Sequence, residues 1–395
     1  MGVRGRGRGL TTAFCSQPDV DVAYVCDIDQ NVVDGAYRTI EQSGRKRPPL
    51  VSDIRRCLDD KNVDAIVMGT PLHWHAPGTI LACDAGKDVY VEKPVSHNVR
   101  EGRLMVESAR RSKRIVQSGS QLPSLEVTQA FHEYAQSGKL GKIVGAKVWN
   151  VQLRRNIGHK EDEPVPAGID YETWTGPLPK MAFNLNRFHS TVNWHWHYGT
   201  GDIGNDGVHE LDIARRALGV TLPVVVSGMG KKLYFDDDQQ TPDTMNLTYE
   251  FAGGRVMFYE QRLWNPYGLE GCDNGVAVYG DRQVAQFGRF REHNWGFRVF
   301  DEHNKQVYMQ EHTGGSIDTP HARNFLDCIR SRKEPRVEIE DGHLASSLAH
   351  LGNIVARTGR AIRFDPNTES VIGDEQANAL VKRAYRGHWS TPKGV

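Results

Sequence analysis

Over residues 1–121 apolar strand-like runs alternate with amphipathic helix-like runs without a break, and that alternation admits few folds. After a glycine-rich opening, Leu10–Ser16 reads as a short helix and Val20–Cys26 as a strand rich in β-branched residues. Residues 30–43 read as a helix. Val63–Met68 is a near-continuous apolar run of the kind buried on both faces of a parallel sheet. A helix over 76–86 closes at Gly86, Asp88–Glu92 is the next strand, 99–113 a charged helix, and Ile115–Ser118 a further strand. Strand then helix, repeated, predicts a doubly wound parallel sheet.

From residue 141 the texture changes. Ile143–Gln152, Val224–Met229, Met245–Phe251, Arg255–Arg262 and Gly275–Val278 read as strands in hairpin order, with Ala252-Gly253-Gly254 as a hairpin turn. Helices are expected over 206–218, 319–332 and 340–357. The expected fold class is α/β. Residues 1–121 form a doubly wound half, and residues 122–395 an α+β half with an open, mostly antiparallel sheet. The helix at 340–357 is expected to pack back near the first half. A chain of 395 residues is long enough for two cores.

Composition excludes some partners. Forty-nine basic and 49 acidic residues give zero net charge, so no global field draws the protein to nucleic acid or to an anionic membrane. No run of about 18 apolar residues is present. Six cysteines without a CxxC pair read as reduced, buried small hydrophobes, and the expected location is cytoplasmic.

The chemistry begins with Gly2, Gly5 and Gly7. A dinucleotide fold needs a strand, a tight glycine turn and a helix whose N-terminus faces the pyrophosphate. Arg4 stands where a regular glycine signature starting at Gly2 would continue. The rival reading is an Arg-Gly tract of the RNA-binding kind. Asp27, twenty residues past Gly7, has the place of a carboxylate that accepts from ribose hydroxyls and disfavours a 2′-phosphate; Arg4, Arg6 and Arg8 pull toward that phosphate. NAD is therefore expected, with NADP as the alternative. Asp29 reads as a solvated helix-start carboxylate. Thr70, Pro71 and His75 follow another parallel strand and face the cofactor, while His73 is as readily a capping histidine.

Glu92-Lys93-Pro94 ends the Asp88–Glu92 strand, where ligands bind in such sheets. A lysine there can steady a developing alkoxide, and Pro94 suggests a fixed bend with a cis bond among its options. Downstream, a glycine-rich run leads into a helix carrying Asn205, Asp206, His209 and Asp212. On an α-helix Asn205 and His209 share a face, and an imidazole is the natural acceptor for a hydroxyl proton. Asp212 either orients that ring or pairs with Arg215 or Arg216. Arg187, His189, Trp194, Trp196 and His197 have the character of a sugar pocket. No metal is expected; the alternative, a site from His195, His197, Asp206 and His209, would imply a lyase or isomerase.

These motifs, with Gly342-His343-Leu344 and Leu351-Gly352-Asn353-Ile354, resemble the Gfo/Idh/MocA family of oxidoreductases. The resemblance implies an N-terminal Rossmann fold, a C-terminal open sheet, bound NAD(P), and a homodimer or homotetramer formed through the sheet. It implies Lys93 and His209 as catalytic residues acting on a sugar, glycoside or cyclitol. Many members carry Asp four residues before that histidine; here Asn205 stands there, and Asp206 is expected to point about 100° away on an α-helix. Two alternatives stay open: glycoside cleavage by transient oxidation, and a non-catalytic NAD- or sugar-binding protein. The family's first strand is also missing, with at most Met1 in its place. The expectation is a sequence that begins late, which leaves an export signal open.

Overall fold

The computed structural model describes residues 1–290 and 294–395. The first half contains β1 (Val25–Cys26), β2 (Leu50–Val51), β3 (Ala65–Met68), β4 (Asp88–Glu92) and β5 (Val116–Gly119). All their pairings are parallel, but they form two sheets, β1-β2 and β3-β4-β5. Helices α1 (Arg6–Cys15), α2 (Asp34–Gln42), α3 (Arg55–Asp59), α4 (His75–Asp84) and α5 (Val99–Ser112) connect them. β4 is buried along its whole length, as its position between two parallel neighbours demands.

Among the described residues, Met1 and Gly2 are the backbone that joins the two sheets. The Met1 ammonium donates to the Val67 carbonyl at 2.8 Å, Gly69 N–H donates to the Met1 carbonyl at 2.9 Å, and Gly2 N–H to that of Cys26 at 2.9 Å. Behind them, between β1 and β3, lies a cavity of about 650 Å³ lined by Val22, Tyr24, Ile66 and Val67 among others. This gap explains the one strand that falls well short of expectation. Of Val20–Cys26 only Val25 and Cys26 pair, because residues 20–24 have no neighbour across the gap. The first helix likewise starts at Arg6 rather than Leu10.

The second half is built on a ten-stranded sheet. Its strands are β6 (Ile143–Asn150), β7 (Val225–Lys231), β8 (Thr244–Glu250), β9 (Val256–Arg262), β10 (Asn274–Gly280), β11 (Gln283–Arg289), β12 (Trp295–Asp301), β13 (Gln306–Glu311), β14 (Ile362–Asp365) and β15 (Ser370–Ile372). The order is β13-β12-β11-β10-β6-β9-β8-β7-β14-β15, antiparallel throughout except for the β6–β9 pair. The glycine turn between β8 and β9 carries Gly253 and Gly254 at φ +86° and +82°, where a side chain would be strained.

One sheet face is core. Ala146, Val148, Leu247, Tyr249, Met257 and Tyr259 pack beneath helices α6 (Glu126–Gln136), α8 (Val208–Leu218) and α10 (Ile339–Thr358). The other face is open, with Phe258 exposed and Lys147 paired to Glu260 at 3.4 Å. α7 (Tyr171–Thr175), α9 (Asp318–Ser331) and α11 (Glu375–Asn378) complete the helices among the described residues. α10 touches both halves: Ser346 Oγ accepts from Val95 N–H at 3.0 Å, while the Leu348 carbonyl accepts from Tyr249 Oη at 3.0 Å. The contact with α5 is close enough that a Cβ on Gly102 would lie 2.3 Å from the His343 ring. All six cysteines are buried and free, and no helix among the described residues is long and apolar enough to cross a membrane.

Candidate active site

The glycine loop sits at the carboxyl ends of β1 and β3. A Cβ on Gly2 would lie 2.7 Å from Thr70 Cα, and one on Gly7 would lie 1.7 Å from the Gly2 carbonyl oxygen. Those two glycines let α1 pack against the strand ends. Gly5 differs: its φ is +47°, nothing lies within 4 Å of its Cβ position, and no side chain caps α1. Open space before uncapped helical N–H groups is what a pyrophosphate needs, so the residues present fit a dinucleotide. Asp27 closes one side. Its Oδ2 accepts from Val3 N–H at 2.8 Å and its Oδ1 from Asp29 N–H at 3.0 Å, leaving lone pairs for ribose hydroxyls.

Of the three arginines, Arg4 lines the cavity with its side chain exposed. Arg6 lines it too, but Glu92 holds its guanidinium at 2.8 Å and Asp318 grips it bidentately at 2.8–2.9 Å. Arg8 runs along Gly35. Asp29 is not the solvated group expected from the sequence. It does cap the turn at Gln30–Val32, but it is 3% exposed and receives His189 Nε2 at 2.8 Å.

A cavity of about 500 Å³ runs from Gly5 and Asp27 past Thr70, Pro71 and His75 to Lys93, Pro94, Asn193, Trp194 and Asn205. Lys93 projects from the end of β4, and the Lys93–Pro94 peptide is cis. Its ammonium donates to the Asn205 carbonyl. Glu92 is buried, and burial raises its pKa against the pull of Arg6 and Lys93. His75 presents Nδ1 to the Pro94 carbonyl at 2.7 Å and Nε2 to that of Thr70 at 2.9 Å. Burial lowers its pKa to about 4, so it is neutral near pH 7 and its single N–H donates to one of these two carbonyls. His73 is fully buried, with Nε2 2.7 Å from the Trp174 carbonyl; it belongs to the core and not to the cofactor face.

The helix bearing His209 departs from α geometry. Ile203–Gly207 is a π-helical turn, and α8 begins only at Val208. The 100°-per-residue offset of an α-helix therefore does not apply. The amide of Asn205 donates to Asp202 at 3.1 Å and accepts from Asn193 at 3.3 Å. Asp206 instead turns toward the lysine. It accepts from Gln152 and Arg154, and although burial works against ionisation, Lys93, Arg154 and His209 together lower its pKa. Burial, then Lys93, depress His209 to about 3, with Asp206 opposing. Asp212 bonds Arg215 and Arg216 at 2.7–3.0 Å, so it is the ion-pair partner among its two expected roles.

The expected sugar pocket divides. His189 and Trp194 line the cavity that Lys93 lines. Arg187, His195, Trp196 and His197 line a second cavity, and Arg187 is engaged by Asp162. The 3-10 turn His189–Trp194 carries the chain across the wall between the two, which separates residues only a few positions apart. It also separates His195 and His197 from Asp206 and His209, so the four do not form a ligand set; no cluster of three metal-ligating residues occurs among the described residues.

Arg154, Gln152, Asn150 and Asp202 went unnoticed in the sequence. Asn150 and Arg154 donate to Asp202, and Gln152 and Arg154 to Asp206. The signal was there: polar residues at every second position along β6 and its extension, facing acids four apart on a helix.

Comparisons with known proteins accord with this geometry. The profile of an oxidoreductase family's NAD-binding Rossmann fold matches residues 5–120, and that of the same family's C-terminal alpha/beta domain matches residues 140–260 and 300–391. Among solved structures, aldose-aldose oxidoreductase from Caulobacter crescentus, complexed with glycerol, superposes with a TM-score of 0.70 at 18% identity, covering 92% of this chain and 98% of that one. The WlbA dehydrogenase from Bordetella pertussis, in complex with NADH and UDP-GlcNAcA, gives 0.67 at 17% identity over 92% and 97%. An alpha-N-acetylgalactosaminidase from Shewanella oneidensis is 30% identical over 118 residues, which is 29% of this chain and only 26% of that protein.

Proposed function

The chain belongs to the Gfo/Idh/MocA oxidoreductase family, and from that membership we propose that it moves hydride between NAD and a secondary hydroxyl of a sugar, glycoside or cyclitol. The observation that carries the reading is Lys93, from the end of β4, lining a cavity whose far end is the open Gly5 turn, with Asp206 and His209 behind that wall near enough for the ammonium's charge to act on both. Residues 1–121 hold the dinucleotide, with Gly5, Arg4, Asp27, Thr70 and Pro71 around it, and residues 122–395 hold the substrate. NAD, when bound, accepts hydride from the hydroxyl-bearing carbon.

The chain's own residues manage the proton. His209, neutral near pH 7, takes it from the hydroxyl. The Lys93 ammonium leaves the Asn205 carbonyl and donates to the alkoxide that develops. That oxygen's negative charge offsets the ammonium which depresses the imidazole, so His209 becomes a better acceptor as the proton moves. Asp206 offsets the charge left on the ring. His189, Trp194 and Asn193 orient the sugar.

The test is absorbance at the reduced-nicotinamide band across a panel of sugars and inositols. His209→Ala is expected to lower kcat at least about 10²-fold, the scale of a general base, with NAD affinity retained; equal loss of both would make His209 a structural residue. The glycosidase relative supports a second reading, in which the hydride is borrowed and returned during glycoside cleavage. Release of the leaving group without net NADH distinguishes it. Assembly into a dimer or tetramer would use the open sheet face, and Phe258→Asp is expected to shift sedimentation toward the monomer.

A further inference from the structure

The second cavity, about 510 Å³, shares no lining residue with the first. No carboxylate lines it, yet four cationic side chains do: Arg187, Arg357, Lys382 and Arg383. Two of them have partners in the fold. Arg187 meets Asp162, and Arg383 meets Glu101 at 2.6 Å. Arg357 and Lys382 have no carboxylate within 4 Å among the described residues. Arg357 lies over the Trp196 ring at 5.3 Å, and Arg357 and Lys382 are both exposed, so each charge is open to an incoming anion.

Several polar groups in the same wall are idle. Asn98, 4% exposed, caps α5 through Oδ1 and leaves Nδ2 without a partner. His350, equally buried, bonds Ser96 through Nε2 and leaves Nδ1 free. Neither ring nitrogen of His195 makes a hydrogen bond of ordinary geometry. Arg383 keeps Nε and Nη1 unpartnered. Buried donors are costly when unmet, and their gathering in the wall of one cavity with unpaired cations is the signature of an anion's seat. Leu178, Met181 and Leu380 give that cavity an apolar side.

We propose that this cavity binds a small phosphate- or carboxylate-bearing molecule, whose oxyanion meets Arg357 and Lys382 and whose carbon skeleton lies on Leu178, Met181 and Leu380. The site is separate from the one that takes hydride. Its walls continue into that site, since His97 follows Lys93–Pro94 and His195 follows Trp194.

Calorimetric titration of the NAD-saturated protein tests it, at constant ionic strength, with inorganic phosphate, glucose 6-phosphate and glucuronate as probes. One-to-one binding of at least one probe is expected, weakened at least tenfold in Arg357→Gln and in Lys382→Gln with NAD affinity unchanged. Phosphate alone would mark a free-oxyanion site, a tighter glucose 6-phosphate a phosphate ester, and a tighter glucuronate a carboxylate. The proposal is overturned by absence of heat with all three probes. Equal affinity in both variants, or binding that NAD abolishes (the anion then sitting at the Gly5 turn), overturns it as well. None of these readouts depends on turnover.

Discussion

At the scale of single residues the candidate site is a problem in crowded charge. Asp202, Asp206 and Glu210 are spaced four apart along one helical stretch, and Arg154 is the cation that Asp202 and Asp206 share. Glu210 has no such partner among the described residues. Burial first, and Asp206 next, raise its pKa to about 8, so in the folded protein it keeps its proton at neutral pH. The folded value lies above the ordinary 4.5, so the unfolded chain gives up that proton across the interval and stability declines as pH rises through it. Glu210→Gln removes the titration and retains the shape. It is expected to raise the thermal midpoint more at pH 8 than at pH 5, read from melts of both proteins at both values. Residue identities were the most legible level. Lys93, His209, Asp27 and the glycines each stood in a sequence pattern with a chemical reason. Arg154 and Asp202 stood only in spacings, alternate polar positions after β6 and acids four apart on a helix, and no local pattern says that the two elements face each other.

At the scale of elements, the lengths and order of β4, α5, α8 and α10 were legible, since propensity, caps and periodicity agree there. The π turn at Ile203–Gly207 was not. Its sequence, Ile-Gly-Asn-Asp-Gly, suits an α-helix start as well, and only packing decides: a Cβ on Gly207 would lie 2.4 Å from the Tyr259 hydroxyl, and one on Gly204 would lie 2.1 Å from Thr200 Oγ1. That local choice determines which carboxylate faces Lys93. The division of the sugar-pocket residues between two cavities has the same origin, a short 3-10 turn that sequence periodicity does not mark. The α5–α10 contact offers a direct test of close packing. Gly102→Ala would press on the His343 ring, and overpacking of this kind costs about 1–3 kcal/mol. A fall of that size in urea unfolding free energy is expected, with no change in NAD affinity.

The whole molecule carries an unusual load of buried imidazole. His73 and His350 are held at about 3, and His75 and His321 at about 4, all by burial, against 6.5 for an exposed ring. Between those limits the unfolded chain binds protons that the folded one excludes. Stability therefore falls as pH drops below about 6.5, by up to roughly 1.4 kcal/mol per unit for each ring. The thermal midpoint is expected to decline steeply from pH 7 to pH 5; a flat profile would mean that these rings find partners when charged. The fold class of both halves was legible from the alternation of patterns, and so was the missing strand. Its absence leaves a neighbour's backbone unpaired: a β-rich run, Val20–Tyr24, lies beside a cavity.

That gap has a practical side. The amino group of Met1 is wedged between two strands, bonded to one and a residue away from the other, rather than waving in solvent. A side chain at Gly2, whose Cβ would lie 2.7 Å from Thr70 Cα, would prise that seam open at the very edge of the nucleotide cleft.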